Sequence, residues 1–351
     1  MKPDFSSTDY ILPPRYIANK PAKNRGNDKL LIYNSATDTV RHDVFYNIKS
    51  YIPKDTACIL NKSSVIPARI RLKKSSGGIV EVLFLLNEEL HANGQLRVMV
   101  DRKVTEGTVL STKKNKQIGY VAKHSEKSIF TMQLTIPRQG LVALLQQEGA
   151  APIPKYIKHS PLSRLEQIRN YQTVYARVES QLGSVAAPTA GLHFTKNILQ
   201  SLKSNGVQTH YITLHVGLGT FAPLTSTQIQ TKKLHEEMYS VSDAIYSSLQ
   251  QAKTNNRPIL AVGTTTVRTL ETISHANQRS GSTDIFIYPP HSFYYPTMLL
   301  TNFHLPHTSL MLLVQAFLQH KHAQRNLVQL YNEAIVQNYR FYSFGDSMLI
   351  L

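Results

Sequence analysis

The sequence predicts an α/β protein that also carries a small antiparallel β-barrel or sandwich, and two textures along the chain predict it. Residues 57–137 show period-two patterning broken by turn signals, with no convincing helix between the runs. From about residue 141 onward, helical and strand patterns interleave, the mark of an α/β domain. At 351 residues the chain is long enough to bury a substantial core and to form two domains.

In the first texture Ala68, Ile70 and Leu72 alternate with Arg69, Arg71 and Lys73, and Phe130, Met132, Leu134 and Ile136 alternate with Thr131, Gln133 and Thr135. Such alternation belongs to half-buried strands. Ser75-Ser76-Gly77-Gly78 and Asn93-Gly94 provide the turns. In the second texture Thr195 reads as the N-cap of a helix with Ile198, Leu199 and Leu202 on its apolar face and Gly206 at its C′ position. Residues 207–216 read as a strand with Ile212, Leu214 and Val216 on one face and Tyr211, Thr213 and His215 on the other. Residues 259–262 form a short apolar strand, followed by the helical spacing of Val267, Leu270 and Ile273. Residues 284–288 read as a third strand, stopped by Pro289-Pro290. Ligand loops are expected at the carboxyl ends of such strands. The first fifty-odd residues lack the barrel texture.

The balance of 39 Lys and Arg against 22 Asp and Glu gives a formal net charge of +17. Such a charge attracts polyanions in a salt-dependent way, although a lysine-rich solvated surface would produce the same count. Residues 102–127 hold seven Lys or Arg against two Glu, a stretch that could track a nucleic-acid backbone or simply face solvent. Cys58 is the sole cysteine, which excludes an internal disulfide and a cysteine-based zinc site and reads as a buried, inert thiol. The N-terminus lacks a secretory pattern, and the longest apolar run, residues 310–314, is far too short to span a bilayer. A cytoplasmic protein is expected.

Several compact blocks carry candidate chemistry. Gly263-Thr264-Thr265-Thr266 lies where a strand hands over to a helix, with Arg268 one turn further on. Backbone amides, hydroxyls and a guanidinium there suit a carboxylate or phosphate, and the alternative is an ordinary loop with a threonine cap. The block lacks the Lys-Ser/Thr ending of a P-loop, so a nucleoside triphosphate is not implied. His193 lies in the turn Pro188-Thr189-Ala190-Gly191-Leu192-His193, His215 precedes Val216-Gly217-Leu218-Gly219, and His304 ends Thr301-Asn302-Phe303-His304. These three histidines are candidate general bases. No histidine pair has metal-ligand spacing and no Gly-x-Ser-x-Gly elbow marks a serine hydrolase. Near the C-terminus, Arg340 sits among Phe341, Tyr342 and Phe344 before Gly345-Asp346, a set that could stack on an extruded base or fill a core.

Together with Asp9-Tyr10-Ile11-Leu12-Pro13-Pro14, Val65-Ile66-Pro67-Ala68-Arg69 and Tyr171-Gln172-Thr173-Val174-Tyr175-Ala176, these blocks resemble the S-adenosylmethionine:tRNA ribosyltransferase-isomerases of queuosine biosynthesis, nearly end to end and in the family's order. The resemblance implies a discontinuous large α/β domain, residues 1–60 and 145–351, carrying an inserted β-barrel over residues 61–144. It implies S-adenosylmethionine as co-substrate, no metal or other cofactor, the tRNA anticodon loop as partner, and a monomer. The reaction would move the ribosyl group of S-adenosylmethionine onto a 7-aminomethyl-7-deazaguanine at the wobble position, giving epoxyqueuosine and releasing adenine and methionine. On this resemblance His215, His193, His304 and His235 are the proton-transfer candidates. Gly263, Thr264, Thr265 and Arg268 would take the methionine carboxylate, and Tyr171, Gln172 and Thr173 the nucleoside. Tyr342 and Asp346 complete the expected substrate contacts. The chain departs from the family's pattern at Ser64, Lys232, Thr297 and Pro289-Pro290-His291. A non-catalytic tRNA-binding relative is the alternative reading.

Overall fold

The computed structural model describes residues 3–88, 93–126, 128–154, 157, 160–177, 183–217, 219, 224–276 and 278–351. Among them, one mixed sheet carries the larger part of the fold. Its strands run in the order β13 (Ser280–Ile285), β11 (Lys233–Ser240), β10 (Gln208–Leu214), β3 (Ala57–Asn61), β12 (Ile259–Val262), β14 (Met298–Asn302), β15 (Ser347–Ile350), β1 (Lys29–Asn34) and β2 (Thr39–Val44). The four central strands β10, β3, β12 and β14 are mutually parallel. β3, β12 and β14 are buried along their whole length, as strands covered on both faces must be. Their carboxyl ends, at Leu214, Asn61, Val262 and Asn302, therefore share one edge. β15 runs antiparallel to β14 with Ser347 opposite Asn302, and β1 pairs with β15 through Leu30 and Ser347. The starts of β1 and β15 thus lie at the same edge.

On one face of the sheet the helices Asp243–Thr254, Thr264–Ala276, Ser309–His320 and Leu327–Val336 bury Leu249, Val267, Leu270, Phe317 and Leu330 against Ile59, Ile212, Ala261 and Leu299. On the other, the helix Lys196–Ser204 and the short 3-10 turns Phe45–Ser50 and Thr189–His193 pack Phe45, Ala190, Ile198 and Leu202 on Cys58, Leu60, Leu260 and Val262. Alternation within each strand divides these two cores. Cys58 is fully buried and burial pushes its thiol up to about 12, so it is an inert packing group.

Between β3 and β10 the chain leaves the sheet and closes a barrel. Its strands are β4 (Arg69–Lys74), β5 (Ile79–Phe84), β6 (Gln95–Val100), β7 (Val109–Ser111), β8 (Gln117–Glu126) and β9 (Ile129–Leu134), in the order β4-β5-β6-β9-β8-β7 with β7 returning to β4. The period-two residues Ile70, Leu72, Phe130, Met132 and Leu134 point inward, joined by Val80, Val82, Leu96 and Val98. The helix Arg138–Glu148 adds Leu141, Leu144 and Leu145 to this core. A Cβ on Gly119 would lie 2.1 Å from the Gln133 carbonyl oxygen, so only glycine lets β8 pass β9 at that register.

Two expectations are adjusted. The strand foreseen at 284–288 is β13, Ser280–Ile285, and Phe286 to Tyr288 leave the ladder ahead of Pro289-Pro290. The pairs Tyr239–Gly281 and Glu237–Thr283 recruit small polar residues that no apolar pattern marks, because an edge ladder is held by backbone hydrogen bonds. The strand foreseen at 207–216 ends at Leu214, and His215 and Val216 run on along the edge with His215 N–H donating to Met238 O at 2.8 Å.

Candidate active site

The carboxyl edge of the parallel strands is also where the chain departs to the barrel, and both ends of the barrel insertion are stitched to it. Asn61, the last residue of β3, performs the stitching. Its Oδ1 accepts from Leu214 N–H and Ser63 N–H, while its Nδ2 donates to Leu214 O at 3.0 Å and to Thr265 Oγ1 at 3.4 Å. Ser184 Oγ donates to Ser63 Oγ at 2.8 Å and accepts from Val216 N–H at 3.0 Å. A fully paired buried carboxamide extends the ladder where β3 and β10 diverge.

On the face covered by the long helices, Gly263 (φ +87°) follows β12 and turns the chain into the Thr264–Ala276 helix. Its N–H donates to Leu300 O at 2.8 Å, and Thr264 and Thr265 open the helix where first-turn amides lack intrahelical acceptors. Arg268, one turn on, is 7% exposed and pairs through Nη1 with Glu237 Oε2 at 2.5 Å. Glu237 Oε1 accepts from Gly217 N–H at 2.7 Å. Arg268 Nε and Nη2 are buried with no hydrogen-bond partner among the described residues. Two unmatched buried charged donors are costly unless an anion takes them. Gly217 is pressed from the other side by Asn87 of the barrel: a Cβ there would meet Asn87 Nδ2 at 2.5 Å. His215 is 9% exposed, two residues before Gly217. His235 lies half-buried on β11, two residues before Glu237. Of the block that follows His215, Leu218, Thr220 and Phe221 lie outside the described residues, as does Lys127.

On the opposite face, His193 ends the 3-10 turn that Thr195 separates from the next helix, Thr195 Oγ1 accepting from Ile198 N–H at 3.1 Å. His193 Nδ1 lies 3.1 Å from Asp28 Oδ2, and Nε2 lies 3.2 Å from Asn302 Nδ2. Its ring stacks on Phe45 with centroids 5.1 Å apart. Asp28 Oδ1 also accepts from Arg340 Nη2 at 3.0 Å. Burial alone would raise the Asp28 carboxyl, but the charge and hydrogen bond of His193, with Arg340 and the Gly26 N–H, carry it below the ordinary value. The same Arg340 Nη2 reaches Asp346 Oδ1 at 3.0 Å, and Asp346 accepts further from Lys29 N–H and Arg340 N–H. A cavity of about 70 Å³ lies beside His193 and Asp28, lined also by Arg25, Asn170, Ser343 and Phe344.

The sequence candidates therefore separate. Gly263, Thr264, Thr265, Arg268, His215 and His235 gather around β10, β11 and β12, and His193, Asp346 and Tyr342 gather around β1, β14 and β15. Asp346 has both oxygens occupied by N–H donors. Tyr342 (φ +73°) is 6% exposed, with its carbonyl accepting from Asn302 Nδ2. Phe341 and Tyr339 pack on Phe303 with centroids 4.8 and 5.6 Å away, and Phe344 packs on Tyr171 at 5.8 Å. His304 is anchored by Thr301 Oγ1 at 2.8 Å, and burial pushes it down to about 4, leaving it neutral at physiological pH. Gln172 clamps the start of the barrel insertion: its Oε1 accepts from Val65 N–H and its Nε2 donates to Ser64 Oγ, both at 2.9 Å. Thr173 is 5% exposed, and Tyr171 is fully buried. At the remaining departures, Lys232 caps the Ser226–Thr231 helix in the left-handed region (φ +58°), and Thr297 Oγ1 accepts from Ile259 N–H at 2.8 Å. His291 Nε2 lies 3.1 Å from Glu271, whose fully buried carboxylate also accepts from Tyr294 N–H. Asp28, Asn61 and Asn87 are not among the sequence candidates, and Glu237 is marked without a role, as keeping the family's pattern with His235. For the other three no local pattern exists, because their partners lie far away in the chain.

A buried arginine with an unpaired donor edge, one turn into the helix that follows the Gly263 turn, lies at the strand edge of an α/β protein with an inserted barrel, whose Asn87 abuts Gly217. The chain belongs to the queuosine biosynthesis protein family, whose sequence profile matches residues 5–350. It is 40% identical over 352 residues to the S-adenosylmethionine:tRNA ribosyltransferase-isomerase of Thermotoga maritima, covering 99% of each chain. Identity to the same-named protein of Caldanaerobacter subterraneus subsp. tengcongensis is 38% over 358 residues, covering 97% of this chain and 98% of the relative. The crystal structure of S-adenosylmethionine tRNA ribosyltransferase from Thermotoga maritima superposes with a TM-score of 0.55 at 31% identity, covering 99% of this chain and 100% of that one.

Proposed function

We propose that this chain transfers and isomerises the ribosyl moiety of S-adenosylmethionine onto the 7-aminomethyl-7-deazaguanine base at the tRNA wobble position. The products are epoxyqueuosine-tRNA, adenine and methionine. The observation that carries the reading is the likeness of 40% identity over 99% of the chain to a ribosyltransferase-isomerase. In support, an arginine with unmatched donors is paired to Glu237, which also accepts from Gly217 N–H, and His215 and His235 stand two residues before Gly217 and Glu237 in the chain.

The chemistry sets three demands. A base removes a proton from the ribose carbon next to the sulfonium, whose charge acidifies it. The aminomethyl nitrogen attacks as the neutral amine, and adenine leaves with a hydrogen bond or proton. His215 is the base in this reading, because it lies buried at the carboxyl edge two residues before Gly217. His193 has both ring nitrogens engaged, and in this reading it aligns the turn that abuts Gly263 through Ala190, 3.6 Å from a Cβ at that glycine. Gly263, Thr264, Thr265 and Arg268 hold the amino-acid end, and Tyr171, Gln172 and Thr173 shape the wall behind the nucleoside. Residues 61–144 act as one unit that presents Lys113, Lys114 and Lys116, all exposed, to the tRNA backbone. Monomeric, cytoplasmic action fits this reading. No helix among the described residues is long and apolar enough to cross a membrane.

Adenine release from S-adenosylmethionine, with and without tRNA bearing the aminomethyl base, tests the proposal. Release that requires this tRNA and yields an epoxyqueuosine nucleoside by mass spectrometry is the expected result. Salt-dependent tRNA binding without adenine release would instead mark a binding-only relative.

A further inference from the structure

We propose that Arg268 and Asn87 form a clamp for the zwitterionic end of an α-amino acid, aimed by Glu237 as its positioning residue. The clamp rests on the reading above, in which that end is the methionyl group of S-adenosylmethionine. In a planar guanidinium, the Nε–H and one Nη2–H lie parallel along one edge, spaced to meet both oxygens of a carboxylate. This is the edge that is buried and without a partner among the described residues, while Nη1 is spent on Glu237. Glu237 is 3% exposed and divides its two oxygens between Arg268 Nη1 and Gly217 N–H, which fixes the plane of the guanidinium and the position of Gly217.

The second half of the clamp comes from the barrel. Asn87 is 2% exposed and abuts Gly217, and its Oδ1 is a buried acceptor with no partner among the described residues. An unmatched cationic donor edge and an unmatched neutral acceptor, joined through one glycine and one glutamate, complement a carboxylate and an ammonium on the same carbon. A phosphate would satisfy Arg268 but would repel the Asn87 carbonyl oxygen. Because one half belongs to the sheet and the other to the barrel, the clamp is completed only where the two units meet.

The test compares binding of S-adenosylmethionine with that of its decarboxylated analogue, which keeps the ammonium, by calorimetry on wild type, Arg268→Gln, Glu237→Gln and Asn87→Ala. Wild type is expected to prefer S-adenosylmethionine by about a hundredfold or more, as for a charge-paired group removed from a desolvated site. Arg268→Gln is expected to reduce that preference below tenfold while holding the analogue's affinity within threefold. Glu237→Gln places a donor against Nη1 and is expected to reduce the preference likewise, raising KM for S-adenosylmethionine more than it lowers kcat. Asn87→Ala is expected to weaken both ligands equally. A cooperative melt accompanies each variant. Wild type that binds both ligands within threefold of each other overturns the clamp without any variant. So does a folded Arg268→Gln protein that keeps the wild-type preference. Wild type that binds neither ligand overturns the functional reading and the clamp with it.

Discussion

Gly191 shows how tightly the His193 turn is built, and its replacement by alanine makes a quantitative prediction. Its backbone has no positive φ, so the demand for glycine is steric. A Cβ there would lie 2.0 Å from Tyr175 Oη, 3.1 Å from Cζ and 3.0 Å from Thr173 Cγ2. Tyr175 is 9% exposed and packs on Tyr211 with centroids 5.5 Å apart, so its ring cannot simply swing aside. Relieving the clash requires more than an ångström of displacement, and overpacking of this kind costs about 2–3 kcal/mol. With an unfolding entropy of about 2.1 cal/mol/K per residue, that cost lowers the melting midpoint of this chain by about 3–4 °C. Tyr175 Oη is buried without a partner among the described residues, so deleting it removes a desolvation penalty of about 1–3 kcal/mol. Tyr175→Phe alone is therefore expected to melt at or above the wild-type temperature, and the Gly191→Ala/Tyr175→Phe double variant to recover at least half of the loss. Differential scanning fluorimetry reads all three. A double variant no more stable than Gly191→Ala would refute the claim that the hydroxyl is what excludes a side chain at position 191.

Other predictions follow from charge. Asp28 has a carboxyl held below its ordinary value in the fold, so its stabilisation is present above about pH 4 and lost as pH falls through the folded value. Asp28→Asn is expected to flatten the acid limb of a stability–pH curve measured by urea unfolding, and an unchanged limb would contradict the Asp28–His193–Arg340 network. His304 has the opposite case for a base: its value falls to about 4 in the fold against about 6.5 unfolded, so protonation favours the unfolded chain, and stability drops as pH falls from about 6.5 towards 4. His304→Gln should remove that part of the slope. Lys113, Lys114 and Lys116 lie exposed on the connection from β7 to β8. Their joint replacement by glutamine is expected to reduce the slope of log affinity for tRNA against log salt by about 0.7–0.9 for each phosphate that is no longer neutralised. An unchanged slope would remove this turn from the RNA-facing surface.

Local signals in this chain are legible because their causes are local. Alternation of Ile70 and Leu72 with Arg71 and Lys73 specifies a strand with one wet face wherever it pairs, and Thr195 and Gly206 cap the helix they flank through groups only a few residues away. The Gly263 turn and Arg268 are legible for the same reason, since a strand-to-helix handover with an arginine one turn in is a property of a few consecutive positions. Closure of the strands into a barrel rather than a sandwich is not legible, because it depends on β7 returning to β4, a pairing that neither strand's composition encodes.

The site itself is decided by tertiary structure. Asn61 and Leu214 are 153 residues apart in sequence yet complete each other's hydrogen bonds, and Glu237 reaches Arg268 across 31 residues. Asp28 carries no local pattern at all; its partners His193 and Arg340 come from distant parts of the chain, brought to it at the edge where β1 pairs in parallel with β15. Sequence by itself determined the two textures, several of the elements within them, the family and which residue types could do chemistry. Only the fold decided which of them share a desolvated pocket, because a polar group's role is set by whether its donors and acceptors are already spent, and that is a property of neighbours the chain brings from a distance.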